Sequence, residues 1–460
     1  MVFSSLNFLF IFLPLVLIVY YLVPFRFKNL VLLIFSIVFY AWGEPVYVIL
    51  MILNIAFNYI CGRQFETLHT ERERKRQLIL AVAVNLLLLG FFKYAGFLVG
   101  TVCGIFGGHP SFELPLPIGI SFYTFQALSY VIDVYRGKVR VQRNIIDFGA
   151  YITMFPQLIA GPIVRYDQIE RQLGKRTISL EKAGFGMQRF LFGLGKKVLL
   201  ANNLGLLYST IQAADERSMM TAWLGAIAYT LQIYFDFSGY SDMAIGMGKM
   251  LGFDFMENFE YPYLAENVTE FWRRWHISLG SWFREYVYIP LGGNRVSAGR
   301  HILNLLIVWA LTGLWHGANW NFVIWGIYYG VILILEKYVL IPLCRRVPKW
   351  IKHIYTILLV IIGWAIFSNT NFGDMGVFLK NLFGGGVNGF IDSGFLYYFK
   401  SNLILLILSV FFCAPAFRKV MGYTERKRPV INIVVCVLIF ILSVGFLVSG
   451  SFNPFLYFRF

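Results

Sequence analysis

A chain of 460 residues that is 58% hydrophobic, 18% aromatic and only 14% charged is too apolar for an ordinary soluble globule, and it reads as a polytopic membrane protein. Its formal net charge of +16 does not mark a nucleic-acid binder: the basic residues form short loop clusters between apolar segments, with no basic domain or arm. Membrane lipid headgroups are the expected partners of those loops. Cys61, Cys103, Cys344, Cys413 and Cys436 are scattered, with no spacing that suggests a metal site or a disulfide framework, and are read as packing residues.

The apolar runs predict an all-α polytopic fold with about 11–12 transmembrane helices plus re-entrant and interfacial helices, because a lipid-facing backbone must satisfy its own hydrogen bonds. Candidate spans lie near residues 6–23, 30–43, 46–61, 77–98, 117–132, 188–208, 221–237, 302–316, 320–343, 352–368, 402–417 and 430–449. The first has no basic segment before it and no small-residue cleavage pattern after it, and Arg26 and Lys28 follow it. It is expected to be retained, with its start outside. Loops carrying Arg63, Arg72, Arg74, Lys75 and Arg76, and Arg136, Lys138, Arg140 and Arg143, should be cytoplasmic. At 148–164, Pro156, Gly161 and Pro162 interrupt a helix, and a full crossing would put Arg165, Arg171, Lys175, Arg176 and Lys182 outside. A re-entrant hairpin buried in protein is preferred there. The Gly-rich, nearly neutral interval 368–401 suits an outside loop, and the aromatic segment 453–460 is expected to dock at an interface. No internal repeat of the transporter type is visible, and the chain is read as one integral membrane domain over 1–460.

Two tryptophan-flanked histidines stand out, in Phe271-Trp272-Arg273-Arg274-Trp275-His276 and in Leu314-Trp315-His316-Gly317-Ala318-Asn319-Trp320. A proton-transfer group at membrane depth is expensive to keep there, and a neutral imidazole accepts a proton from a hydroxyl. Around the first, Trp275, Leu279, Trp282, Phe283 and Tyr286 recur at helical spacing opposite a stripe of Arg274, Ser278, Ser281 and Glu285. This predicts an interfacial helix, and if it is continuous a third face aligns Arg273, His276, Gly280 and Arg284. Those arginines either pair with phosphates or a carboxylate or simply anchor to headgroups, with His276 bonded to a neighbouring helix. Around the second, Gly313, Gly317 and Ala318 leave room for a substrate or a backbone, and Thr312 and Asn319 are placed to orient the His316 ring. The alternative is a packed helix end with a satisfied histidine. Asp236, in Tyr234-Phe235-Asp236-Phe237-Ser238-Gly239-Tyr240-Ser241-Asp242, needs a partner at such depth. It either supports a histidine or a positive helix end, or serves as an N-cap or the partner of an arginine, and the latter pair of roles is favoured. Lys93 and Glu336 are read as snorkelling or facing a neighbouring helix.

These motifs, together with Val2-Phe3-Ser4-Ser5, Tyr40-Ala41-Trp42-Gly43-Glu44-Pro45, Phe155-Pro156-Gln157-Leu158-Ile159-Ala160-Gly161-Pro162, the run 271–295 and the closing 454–460, occur in an order that resembles the membrane-bound O-acyltransferase family, in its bacterial alginate and polysaccharide O-acetylation branch. The resemblance covers nearly the whole chain. It implies a helical ring around a thinned centre with funnels from both faces, and a place in the bacterial cytoplasmic (inner) membrane. It makes His316 the catalytic candidate and His276 a second functional position, and Arg273, Arg274, Arg284, Asn319, Trp315 and Asp236 become candidate substrate- or donor-binding residues.

On that resemblance an acyl group, expected to be acetyl, passes from a cytoplasmic acyl-CoA (acetyl-CoA) to an exported cell-envelope polysaccharide through an extracytoplasmic acetyltransferase or acceptor protein. No bound cofactor or metal is expected. His316 would act as general base on the acceptor hydroxyl, and Asn319 or a backbone N–H would stabilise the oxyanion. Arg273 and Arg284 would position the donor together with His276. Two alternatives stay open: D-alanyl transfer to teichoic acid from an acyl carrier protein, and a non-enzymatic transporter.

Overall fold

Helices carry the chain from end to end, and no strand is present among the described residues of the computed structural model. The structure describes residues 1–106, 108, 114–159, 161–214, 217–344, 346–427, 429–450, 452–454 and 456. Ala160, and residues 455 and 457–460 of the aromatic terminus, lie outside that set. Among the described residues six helices are long and apolar enough to cross a membrane: Phe25–Gly43, Glu71–Ile105, Leu180–Gln212, Trp320–Leu343, Lys349–Ser368 and Pro429–Ser449. A seventh arises if Ser393–Ser401 and Leu403–Phe412, bent by 59°, form one span. Other apolar runs are helical as well, some unbroken, as in Tyr47–Gln64 and Ala298–His316, and others broken or enclosed. Residues 6–23 fold as a π-helical turn Phe8–Phe12 leading into Leu13–Leu22, and Ile120–Tyr135 is buried in protein at every position except Ile132 and Tyr135. The chain is thus a multi-pass, all-α membrane protein.

The backbone groups into two compact units, one formed by 1–190 with 242–256 and the other by 191–241 with 257–460. In the first, hydrogen bonds at membrane depth are supplied by neighbouring helices. Asn54, Asn58 and Asn85 close a network across Tyr47–Gln64 and Glu71–Ile105, with Asn54 Nδ2 2.9 Å from Asn85 Oδ1 and Asn85 Nδ2 2.8 Å from Asn58 Oδ1. Buried Lys93 donates to Ser121 Oγ over 3.3 Å, so it faces a neighbouring helix as read from the sequence. The segment around Pro156 breaks where the proline requires. Ile145–Thr153 ends at Met154, the short helix Phe155–Leu158 follows, and the Phe155 N–H is taken by Ser36 Oγ at 3.1 Å. Irregular backbone is tolerated there because protein surrounds it.

In the second unit, the Gly-rich interval 368–401 contains two helices, Phe372–Leu382 and Ser393–Ser401, and clips onto the start of Met219–Met250. The clip is Asp392, whose carboxylate accepts from Ser218 N–H (3.1 Å), Ser218 Oγ (3.0 Å), Thr221 Oγ1 (2.8 Å) and Phe395 N–H (2.6 Å). Burial by itself would raise the carboxyl pKa, but the accepted hydrogen bonds outweigh it and hold the group below its ordinary range. A folded pKa below the unfolded value contributes stability that is complete above the ordinary carboxylate range and is lost as pH falls through the depressed value. Asp392→Asn should therefore lower the Tm of purified protein at neutral pH, with the gap closing on acidification. A gap that does not change with pH would contradict the assignment.

Candidate active site

Two antiparallel helices of the second unit, Ala298–His316 and Trp320–Leu335, create the setting for His316. They approach closely because small residues meet. A Cβ on Gly313 would lie 2.2 Å from the Phe322 carbonyl oxygen, and one on Gly326 would lie 2.3 Å from that of Trp309. The space left by the glycines is filled by backbone. Gly317 has the ring of Phe322 against it in the same way. His316 is the last helical residue and is 6% exposed, and its ring lies edge-to-face with Trp315 (5.1 Å between centroids), Trp325 (5.1 Å) and Phe367 (5.3 Å). The two polar neighbours expected to orient it are engaged in their own helices. Thr312 Oγ1 donates to Val308 O at 2.8 Å, and Asn319 caps Trp320–Leu335 by accepting from Asn321 N–H.

His276 sits at a break. The sequence periodicity predicts one interfacial helix through this region, whereas the chain forms Val268–Arg274, turns at Trp275 and His276, and resumes as Ile277–Phe283 and a π-helical turn Arg284–Tyr288. Arg273, His276 and Arg284 are therefore not aligned on one continuous helical face. The physical reason is His276 itself, whose φ of 44° and ψ of 53° are left-handed, a conformation that costs a non-glycine residue about 1–2 kcal/mol. Such strain persists only when the surroundings over-determine it, and Asn258 does much of this. Its carbonyl accepts from Ile277 N–H (3.0 Å), and its Oδ1 accepts from Ser278 N–H (3.1 Å) and Ser278 Oγ (2.9 Å). Ser278 Oγ then lies 3.4 Å from His276 Nδ1. Burial pushes the His276 pKa down to about 3, so the imidazole is neutral at physiological pH.

One indole joins the two histidines. Trp315 is edge-to-face with His276 at 5.9 Å and with His316 at 5.1 Å, so residues forty positions apart in sequence face a common ring. Behind it Trp272, Trp309, Trp325 and Tyr329 pack edge-to-face or tilted, with centroids 4.8 Å (Trp272–Trp309), 5.3 Å (Trp272–Trp325) and 4.8 Å (Trp272–Tyr329) apart. This aromatic packing fixes the rings' mutual angles.

The other candidates divide into two groups. Arg273 and Arg284 are exposed, while Arg274 is tied to Glu270 at 2.5 Å. Asp236 is buried in an ion pair with Lys197 and accepts the Leu456 N–H at 3.0 Å. Its partner is thus a lysine and a terminal backbone amide, where the sequence reading favoured an N-cap or an arginine. Glu336, read from the sequence as snorkelling or facing a neighbouring helix, faces one. This buried carboxylate takes Val268 N–H (2.7 Å) on one oxygen, and Thr269 N–H (2.8 Å) and Thr269 Oγ1 (2.7 Å) on the other. It thereby fixes the start of the helix that leads to His276, as a negative charge at a helix N-terminus does. An acidic residue in an apolar run signalled it, but its partners lie 67 and 68 positions away.

The membrane-bound O-acyltransferase family matches this chain over residues 138–370. The probable alginate O-acetylase AlgI of Azotobacter vinelandii is 47% identical over 377 residues, covering 81% of this chain and 76% of its own. The peptidoglycan O-acetyltransferase of Helicobacter pylori is 31% identical, covering 100% of this chain and 98% of its own. The teichoic acid D-alanyltransferase of Bacillus subtilis is 26% identical, with 57% and 71% covered.

Glu336→Ala leaves two helix-start N–H groups without their acceptor and should cost about 1–3 kcal/mol, seen as a lowered Tm in detergent, while Glu336→Gln, which keeps one acceptor oxygen, should lose less. Equal stability of Glu336→Ala and the wild type would contradict the capping role.

Proposed function

Because the chain belongs to the membrane-bound O-acyltransferase family and is accordingly an O-acyltransferase, we propose that His316 is its general base and that the group it moves is acetyl. The observation that carries this reading is the enclosure of His316 at a helix end by three aromatic rings, one of which, Trp315, also touches His276. In the reaction, His316 accepts the proton of the acceptor hydroxyl while the oxygen attacks the thioester carbonyl of acetyl-CoA. The tetrahedral intermediate collapses as the carbon–sulfur bond breaks, and the leaving thiolate takes the proton from the imidazolium. The products are an acetyl ester and free CoA. Exposed Arg273 and Arg284, on either side of the His276 break, are suited to the donor's phosphates. Neutral His276 donates or accepts a hydrogen bond without adding charge to the enclosure.

The acceptor is assigned as an exported cell-envelope polysaccharide reached through an extracytoplasmic partner, and the membrane as the bacterial inner membrane. Alginate and peptidoglycan O-acetylation in the relatives supports this reading over D-alanyl transfer, whose relatives match less of this chain at lower identity. Membranes holding His316→Ala or His316→Gln at matched expression should pass radiolabelled acetyl from acetyl-CoA to the cell envelope about 10²–10⁴-fold more slowly than wild type. Unimpaired transfer would remove His316 from the mechanism. Transfer that requires a charged carrier protein, and fails with acetyl-CoA, would favour the D-alanyl reading.

A further inference from the structure

The chain's final described residues do more than lie against the second unit. They run antiparallel along the stretch 197–205 and close a buried ion pair. Phe452 packs at Gly205, where a Cβ would lie 3.3 Å from its ring. Asn202 Nδ2 donates to Asn453 Oδ1 at 3.1 Å, Lys197 Nζ donates to the Pro454 carbonyl, and the Leu456 N–H donates to Asp236 Oδ2 at 3.0 Å. Lys197 and Asp236, each 1% exposed, pair with one another. Charges so buried stay paired and hydrogen-bonded or are not kept, and here the terminal backbone supplies part of what they need. Gly239 makes this possible, since a Cβ there would lie 2.8 Å from Gly193 O and 3.1 Å from Lys197 N.

Asp236 is followed by Phe237, and Phe237 touches the His276 ring edge-to-face at 6.2 Å. Tyr234, on the same helix, packs against Trp275 at 6.2 Å. The strained turn therefore leans on the helix that Lys197 and the terminal segment hold from another side. We propose that residues 452–454 and 456 act as a strap whose contacts with Lys197 and Asp236 position the His276 turn, making Lys197, Asp236 and the Leu456 amide positioning groups for acyl transfer. This deepens the functional reading above and rests on it only for the kinetic part of its test.

Leu456→Pro deletes the N–H that Asp236 accepts, whereas Leu456→Met keeps it. Full-length proteins are compared by diethylpyrocarbonate labelling of His276, mapped by mass spectrometry with His353 as internal reference, and by kcat and KM for acetyl-CoA. In Leu456→Pro, labelling of His276 should rise severalfold relative to His353, and kcat should fall about tenfold with KM for the donor unchanged. Leu456→Met should match wild type. Asn202→Ala, which removes one side-chain contact of the strap, should shift both readouts less in the same direction, and it decides the matter if Leu456→Pro does not fold. Unchanged His276 labelling and kcat in the folded variants would overturn the proposal. So would parallel losses in kcat and donor binding without a change in labelling. If the wild type transfers no acetyl but the labelling still shifts, the strap stands and the acetyl-transfer reading falls.

Discussion

Hydrocarbon offers a polar group nothing to bond to, so every amide, carboxylate and ammonium at membrane depth has to be answered from within the protein. This constraint shapes the chain from local turns to the candidate reaction centre. It explains the three asparagines that close on one another across two helices, and the carboxylate of Glu336 facing the start of the helix 268–274. It also explains why irregular terminal backbone is drawn onto Lys197 and Asp236. Each is a fixed point, because opening it would leave a donor, an acceptor or a charge unmatched.

The strained histidine depends on those fixed points. A left-handed His276 would relax if the chain on either side were able to move, but Glu336 holds the preceding helix and Asn258 the following one. Trp315 then has both imidazoles against it. Under the proposed mechanism, an apolar enclosure makes hydrogen bonding and proton transfer from a hydroxyl to His316 more effective than at a solvated surface, and the tight glycine contacts at Gly313 and Gly326 leave the helix end little freedom to drift. A site built this way relies on packing for its geometry, and its two histidines differ in how they are held: His316 by the rings around a helix end, His276 by a turn fixed at both sides.

Much of this was legible in the sequence wherever the signal is local. Hydrophobic runs gave helices, Pro156 gave a break, and the Trp-His pairs singled out both histidines before any geometry was known. Long-range pairing was not legible. Glu336 was visible as an acidic residue in apolar sequence, but nothing local shows that it reaches Val268 and Thr269. Asp236 demanded a partner, yet Lys197 stood among several basic residues without distinction. The periodicity around His276 misled for a physical reason: short helices on both sides of the turn bury the same apolar residues that one continuous helix would, so the pattern survives while the axis changes. The glycines near His316 were read as room for a substrate or a backbone, and the structure fills that room with backbone at Gly313 and with the Phe322 ring at Gly317.

The central claim is that the acyl group is transferred inside the aromatic enclosure of His316. It is tested most directly by photolabelling the wild-type protein in membranes with an acyl-CoA analogue carrying a small diazirine on the acyl chain, followed by mass-spectrometric mapping of the adducts. The account predicts adducts on Trp315, His316, Trp325 and Phe367, suppressed by excess acetyl-CoA. Competable adducts confined to residues remote from these rings would contradict it.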